Sequence, residues 1–362
     1  MYEPRYKKSS ALTFLIEEIE RKKFLIERLL LMPKHEEWLR REAFIRTAYS
    51  STMVENADIT EEELERAAKP SPGATIPKDR PDVTNYAKAL TFVDFLSDTP
   101  LLGIEQTIRE IHWMLMKNIE GDRFLPGTYR KEPNWITDQG VRVYEPPFHV
   151  DIPSRMRDFT EWLQSEPDVH PLVRAGLAHL HVVAIHPFLD GNGRTARLVT
   201  TLLLQQSGYG FKRLLSLDSY YQRQRDDYIT ALQECLGSKF HQDYDATRWL
   251  EFFAQSVALQ AVSLKTRLTD WRMMIDNMHE RLRGSNLTDR QIDGLIYAAR
   301  MGAITRKDYT EITGVSPVTA TRDLAQLATM ALLRPQGSGR NRRFISIVPS
   351  GPQQGELPSG GS

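Results

Sequence analysis

Apolar residues recur at helical spacing through most of this chain. Between residues 11 and 31, Phe14, Leu15, Ile19, Phe24, Ile26 and Leu29 alternate with charged neighbours, which predicts an amphipathic helix ended by Met32-Pro33. A second helical pattern runs from Glu36 to Glu55. Pro70 to Pro81 is rich in proline and glycine and reads as a linker or long loop. From Asn85 to Val262 the pattern is mainly helical, with Pro171 to Ile185 reading as one buried helix broken only by Gly176. The exception is Pro126–Pro147, where Trp135-Ile136 and Val141-Arg-Val143-Tyr144 flank Asp138-Gln-Gly140 and predict a short hairpin.

The pattern changes at residues 287–348. Thr288 with Gln291 forms a capping box for one helix, Thr305 caps a second that stops at Gly314, and Ser316-Pro317 opens a third. Leu332-Leu333-Arg334 and Arg343-Phe344-Ile345-Ser-Ile347 then flank a glycine-containing turn. Three helices followed by such a hairpin predict a winged helix-turn-helix. The tail beyond Pro349 is mostly Pro, Gly, Gln and Ser and reads as disordered. The expected fold is therefore mainly α, with one small hairpin in the larger part and a winged helix near the C-terminus.

Composition narrows the function classes. At 362 residues the chain can form two or three domains. Lys plus Arg and Asp plus Glu are both 47, so no global basic field points to nucleic acid. Cys235 is the single cysteine and cannot form an intramolecular disulfide. The first residues lack the apolar run of a signal peptide, and no window reads as a transmembrane span. A soluble, cytoplasmic protein without membrane partners is expected.

The candidate chemistry lies in His186-Pro-Phe-Leu-Asp190-Gly-Asn-Gly-Arg194-Thr-Ala-Arg197. Gly191-Asn192-Gly193 lets successive backbone amides face one way, and a nest continued into a helix N-terminus binds anions. Arg194 and Arg197 are three apart, on one face of the first helical turn, and both can fork onto phosphate oxygens. Asp190 offers a hard oxygen for Mg2+, and His186 can take a proton from a hydroxyl near neutral pH. Phe188 is expected to anchor the loop in the core.

Three plainer readings compete. Gly191-x-Gly193-x-x-Ala196 fits a dinucleotide fingerprint, with His181–Ile185 and Phe211–Asp218 as strands, but no further strand–helix alternation follows. His179, His181 and His186 could cluster on a metal, but the spacing from 181 to 186 separates two of them on a helix. A simple helix cap would not need two glycines, a histidine and two arginines together.

The motif His-x-Phe-x-Asp-Gly-Asn-Gly-Arg-x-x-Arg is matched throughout and resembles the signature of the Fic/Doc family. The resemblance extends over residues 36–262, and the whole arrangement resembles single-chain bacterial adenylyltransferases of that family, with an inhibitory helix and a C-terminal winged helix. It implies a Fic-type helical core with a hairpin flap, and transfer of AMP from ATP, with Mg2+, to a hydroxyl of a target protein or of the chain itself. His186 would deprotonate that hydroxyl, and Asp190 would coordinate Mg2+. Gly191, Asn192, Gly193, Arg194, Thr195, Ala196 and Arg197 would line the ATP site, with the Asn192 side chain on the α-phosphate and the two arginines on the β- and γ-phosphates. Tyr228 would join the adenine pocket, although it, Tyr220 and Tyr221 also read as core aromatics, and Ile229 departs from the family's usual second tyrosine. Asn134, Trp135, Ile136 and Thr137 match the flap on which the target segment docks by strand addition; the plain alternative is a surface hairpin.

Ser51-Thr-Met-Val-Glu55-Asn56 resembles the family's inhibitory motif, and also reads as a helix end with Asn56 in the left-handed position after it. The resemblance implies that Glu55 pairs with Arg197 and keeps it from the γ-phosphate, with Ser51 holding the helix. The expected organisation is 1–82 N-terminal helices, 83–262 catalytic core, 263–284 helical linker, 285–350 winged helix and 351–362 tail. From Thr305 to Arg343 there are seven basic and three acidic residues, a net of +4. Residues 285–350 therefore stay open between a DNA reader and a protein-interaction module, the neutral whole chain favouring the second. A second copy of the chain is a further candidate partner.

Overall fold

The structure is a computed structural model that describes residues 2–31, 33–55, 59–68, 80–99, 103–119, 124–138, 140–165, 168–339 and 342–347. Asn56, most of the stretch expected as a linker at 70–81, and the tail at 351–362 lie outside the described residues. The chain is mainly helical and divides into two compact units. The first comprises Met1–Arg28, Arg40–Ala68 and Ile76–Val262; the second comprises Leu29–Leu39, Lys69–Thr75 and Ser263–Ser362.

In chain order the first unit holds α1 (Ser10–Arg28), most of α2 (Pro33–Glu55), α3 (Glu61–Ala68), α4 (Pro81–Leu96), α5 (Ile104–Met116), strands β1 (Ile136–Asp138) and β2 (Val141–Tyr144), α6 (Ile152–Gln164), α7 (Pro171–Ile185), α8 (Asn192–Gln206), α9 (Leu217–Arg223), α10 (Arg225–Leu236) and the first part of α11 (Thr247–Arg281). Two boundaries differ from the sequence pattern. The first helix stops at Arg28, and Pro33 opens α2 instead of closing α1, since a proline in the first turn lacks only an N–H that no helix would use. Helix α3 was not foreseen; Thr60 Oγ1 accepts from Glu63 N and starts it.

Helix α7 is buried along nearly its whole length, which is why its sequence shows no polar face. It packs against α8 and α11. At Gly176 a Cβ would lie 2.8 Å from Leu250 Cδ2, and Trp249 Nε1 donates to the Gly176 carbonyl at 2.7 Å, so the isolated glycine marks a close helix crossing. The hairpin appears where the pattern put it: β1 and β2 pair antiparallel, with an irregularity between Ile136 and Thr137.

The second unit contains α12 (Asp289–Met301), β3 (Ala303–Thr305), α13 (Arg306–Thr313), α14 (Pro317–Thr329), β4 (Leu333–Gln336) and β5 (Arg343–Ser346). The strands form an antiparallel sheet in the order β3-β5-β4. The capping box at Thr288/Gln291 forms, Thr305 caps α13 in a further box with Asp308, and Ser316 caps α14. Strand β3 was not legible, because three residues are too few to carry a period. Leu295, Ile304, Tyr309, Leu324, Leu327 and Phe344 form the core of this unit. Asp323 turns inward, accepting from Arg290 Nε at 2.7 Å and from the Tyr309 hydroxyl at 3.1 Å. No helix among the described residues is long and apolar enough to cross a membrane.

Candidate active site

The apolar face of α7 ends at His186, whose backbone is left-handed (φ 50°, ψ 60°) and whose N–H caps the helix on the Val182 carbonyl at 3.0 Å. A non-glycine residue there needs support from its surroundings. Arg130 supplies it: Nε donates to the His186 carbonyl at 2.9 Å, Nη2 to Pro147 O at 2.6 Å, and its own N–H to Pro187 O at 2.9 Å. Phe188 is fully buried and stacks flat on His112, with ring centroids 3.7 Å apart. The Asn192 amide closes the loop on itself, Oδ1 accepting from Phe188 N and Nδ2 donating to Phe188 O, both at 2.9 Å. That side chain, expected on the α-phosphate, is thus occupied inside the loop and only 2% exposed, because both of its hydrogen-bonding groups already have backbone partners.

His112 pins the next residue. Gly127 N donates to His112 Nδ1 at 2.9 Å, so Nε2 carries the proton and donates to the Asp190 carbonyl at 3.0 Å. Burial pushes this imidazole down to about 3. Gly191 is left-handed (φ 74°) and lies against Met116, where a Cβ would come within 2.7 Å of the sulfur. Only glycine fits this turn.

Helix α8 begins immediately afterwards, with Gly193 in its first turn. The carboxylate of Glu55, at the C-terminal end of α2, lies over that turn: a Cβ on Gly193 would run into Glu55 Oε1. The same oxygen accepts from Arg197 Nη1 at 2.8 Å. Arg197 is 2% exposed and fully engaged, with Nη2 donating to Ser51 O at 2.9 Å and Nε shared between Ser51 Oγ at 2.9 Å and Asp218 Oδ1 at 3.0 Å. Burial opposes the charge on Glu55, but Arg197 and Arg194 outweigh it and hold its pKa below the usual value. An internal carboxylate therefore stands where the backbone nest and the helix dipole favour an anion.

Small hydroxyl groups and one arginine hold α2 in place. Thr47 Oγ1 donates to Ser216 Oγ at 2.8 Å, Ser50 and Ser219 hydroxyls meet at 3.2 Å, and Arg225 Nε donates to Val54 O at 3.1 Å. Arg194 is 8% exposed and lies with Nη2 3.5 Å from Asp190 Oδ2 and 3.6 Å from the Met116 sulfur. Asp190 directs its side chain outward, 47% exposed, with Oδ1 accepting from Gly191 N at 2.6 Å. One outward carboxylate beside an anion cradle suits Mg2+, which takes most of its ligands from phosphate and water.

His186 stands at the start of the same loop. Removal from water and the nearby Arg130 guanidinium push its pKa down to about 4, so the ring is neutral at pH 7 and free to accept a proton. Thr195 and Ala196 are wholly buried, Thr195 Oγ1 donating to Gly191 O at 2.8 Å, so they shape the turn from behind. Tyr228 lies in the core: its ring stacks on Tyr221 at 4.6 Å, and its hydroxyl meets His179 Nε2 at 3.0 Å. At the hairpin, Asn134 Nδ2 donates to Leu189 O at 2.9 Å, tying its foot to the motif loop. Trp135 is 39% exposed beneath the Arg142 guanidinium, 3.9 Å from its ring centre, and Thr137 is exposed on β1.

Arg130, His112, Asp218 and Tyr86, whose hydroxyl donates to Asp218 Oδ1 at 3.0 Å, were missed as site residues. Asp218 was considered only as the end of a dinucleotide-fold strand. Instead Phe211–Arg213 is a 3₁₀ turn and Asp218 lies in the first turn of α9, where an acid has no distinguishing signature.

The buried histidines make acid stability testable. His112 and His181 are pushed to about 3 by burial, and His179 well below its usual value. The unfolded chain binds these protons near pH 6.5 and the folded chain does not, so stability falls as pH drops below that point. Each such group contributes about 1.4 kcal/mol per pH unit over that range. The urea midpoint should hold above pH 7 and collapse between pH 6 and 4.5; a midpoint unchanged at pH 4.5 would contradict this.

Residues 102–204 match the model of the Fic/DOC family. The chain is similar to the protein adenylyltransferase Fic of Nematostella vectensis, 30% identical over 176 residues, covering 47% of this chain and 39% of that protein. It is likewise similar to the same-named protein of Drosophila erecta, 39% identical over 111 residues, covering 29% of this chain and 21% of that one. The chain thus spans less than half the length of these relatives. A Fic family protein from Desulfovibrio desulfuricans shares the fold over 98% of this chain and 100% of its own, with a TM-score of 0.61 and 22% identity. A Fic domain-containing signalling protein from Bacteroides thetaiotaomicron does so over 72% of this chain and 97% of its own, with a TM-score of 0.55 and 20% identity.

Proposed function

We propose that the chain is a Fic-type protein adenylyltransferase that moves AMP from ATP to a hydroxyl side chain of a target protein or of itself, and that Glu55 holds it in check in cis. The observation that carries this reading is the Glu55 carboxylate lying over Gly193 and paired with Arg197 at 2.8 Å, in the place of an anion. The names of the relatives in Nematostella and Drosophila support the nucleotidyl transfer.

In this mechanism the backbone of residues 191–193 and the start of α8 receive the phosphates. Arg194 and Arg197 clamp the β- and γ-phosphates once Glu55 withdraws. Asp190 would hold Mg2+, which supplies charge neutralisation on the phosphates. Neutral His186 takes the proton of the acceptor hydroxyl. That oxygen bonds to the α-phosphorus as the bond to the bridging oxygen breaks, and pyrophosphate leaves. Positioning and charge stabilisation do most of the work in such transfers. The β1–β2 hairpin is a two-stranded sheet whose β1 edge has no further strand partner among the described residues, and its foot is bracketed to the motif loop by Asn134, so a target strand added there would be registered to His186.

Within this reading, 1–82 carries the inhibitory helix, 83–262 the catalytic core, 263–284 a linker and 285–350 a winged helix that recruits a partner. The outer face of α14 supports recruitment of protein over DNA: Val318 is 80% exposed, and Arg322 is the only exposed cation on that helix. The donor nucleotide is tested by intact-mass measurement after incubation with ATP, UTP or a choline-bearing nucleotide. A gain of one AMP with ATP alone is expected; a gain only with another donor overturns adenylyl transfer. Binding without any transfer would favour a nucleotide-sensing regulator.

A further inference from the structure

We infer that Asp218 is a positioning residue that fixes Arg197 in its clamp geometry independently of Glu55, so that activation moves Glu55 and leaves Arg197 where it is. The inference rests on the reading of Arg197 as the clamp for the terminal phosphates. Two carboxylates face one guanidinium, from opposite edges. Glu55 takes Nη1 and is 36% exposed at the end of α2; Asp218 takes Nε and is 2% exposed on α9. The two ends differ in what holds them. Asp218 also accepts from the Tyr86 hydroxyl of α4 at 3.0 Å, and Arg197 is its only ion-pair partner among the described residues.

Swinging Arg197 toward a nucleotide would strand Asp218 as a buried, unpaired carboxylate, which is strongly unfavourable. Withdrawing Glu55 strands nothing: its side chain is 36% exposed already, and Arg197 keeps Asp218 and the Ser51 carbonyl. The Nη1 edge then faces Gly193 and the α8 N-terminus, the position Glu55 Oε1 now fills. A guanidinium fixed at its Nε end presents that edge without first losing rotamer freedom.

The test uses the full chain carrying Glu55→Gly and reads equilibrium binding calorimetrically, with Mg2+, for ATP and for AMP. Asp218→Ala should weaken ATP about tenfold or more while leaving AMP unchanged, because AMP lacks the phosphates Arg197 would hold. Asp218→Asn, which keeps an oxygen facing Nε, should recover most of the loss. Tyr86→Phe, nearly isosteric, should weaken ATP by a smaller factor and serves if Asp218→Ala does not fold. Equal ATP affinity in Asp218→Ala, or in Tyr86→Phe when that variant alone folds, overturns the proposal, as does a parallel loss of AMP. AMP transfer is followed in the same proteins: Glu55→Gly that binds ATP but transfers nothing sinks the proposed function while leaving the Asp218 test readable.

Discussion

Glu55→Gly is expected to raise AMP transfer, including self-modification, on the order of 100-fold, the scale of restoring one preorganised electrostatic contact at a reacting phosphate. The argument is positional. Glu55 Oε1 occupies the space over Gly193 and takes the Nη1 edge of Arg197. A triphosphate arriving there meets a negative charge that is paired and held below its usual pKa, so it stays ionised throughout the neutral range. Glycine removes both the charge and the volume. Glu55→Gln removes only the charge and should give a smaller gain, since the amide still fills the site and can accept from Arg197. Labelled ATP with purified proteins measures all three, and a glycine variant no faster than the parent would sink the autoinhibition model.

The sequence carried the chemistry better than it carried the scaffold that orients it. The motif from His186 to Arg197 was legible because its residue types are unusual together, and Glu55 because its spacing from Ser51 resembled a known inhibitory pattern. The buried helix α7 and the hairpin at 136–144 followed from length and period. The supports did not. Arg130 lies between a glycine turn and a proline, in a stretch with no periodicity, yet three backbone carbonyls converge on its guanidinium. His112 looks like one polar residue on an amphipathic helix, and only the fold reveals Phe188 against its face and Asp190 at its edge. Asn192 and Tyr228 show the reverse. The family resemblance put Asn192 on the α-phosphate and Tyr228 in the adenine pocket, although Tyr228 also read as a core aromatic; the structure gives the Asn192 amide to Phe188 and the Tyr228 hydroxyl to His179. Tertiary partners decide such roles, and one sequence does not display them.

The second large effect is a loss. In the Glu55→Gly background, His186→Ala should lower transfer by about 10²- to 10⁴-fold, the range for removing a positioned general base, with ATP affinity nearly unchanged. The separation follows from geometry. His186 is the left-handed cap of α7, while the groups proposed to face the phosphates are the backbone of 191–193 and the arginines of α8. Arg130 grips the carbonyl of residue 186 and not its ring, so the loop keeps its anchor when the imidazole is removed. The parent's pH profile supplies an independent check. A free imidazole titrates near 6.5, whereas His186 is pushed down to about 4 by removal from water and by Arg130. It remains a base as pH falls through 6, so transfer should stay level down to the point where the fold itself fails, with circular dichroism tracking the fold in parallel. An acid limb centred near 6.5 in protein that is still folded would mean that the base is solvated as an ordinary histidine, or that another group takes the proton.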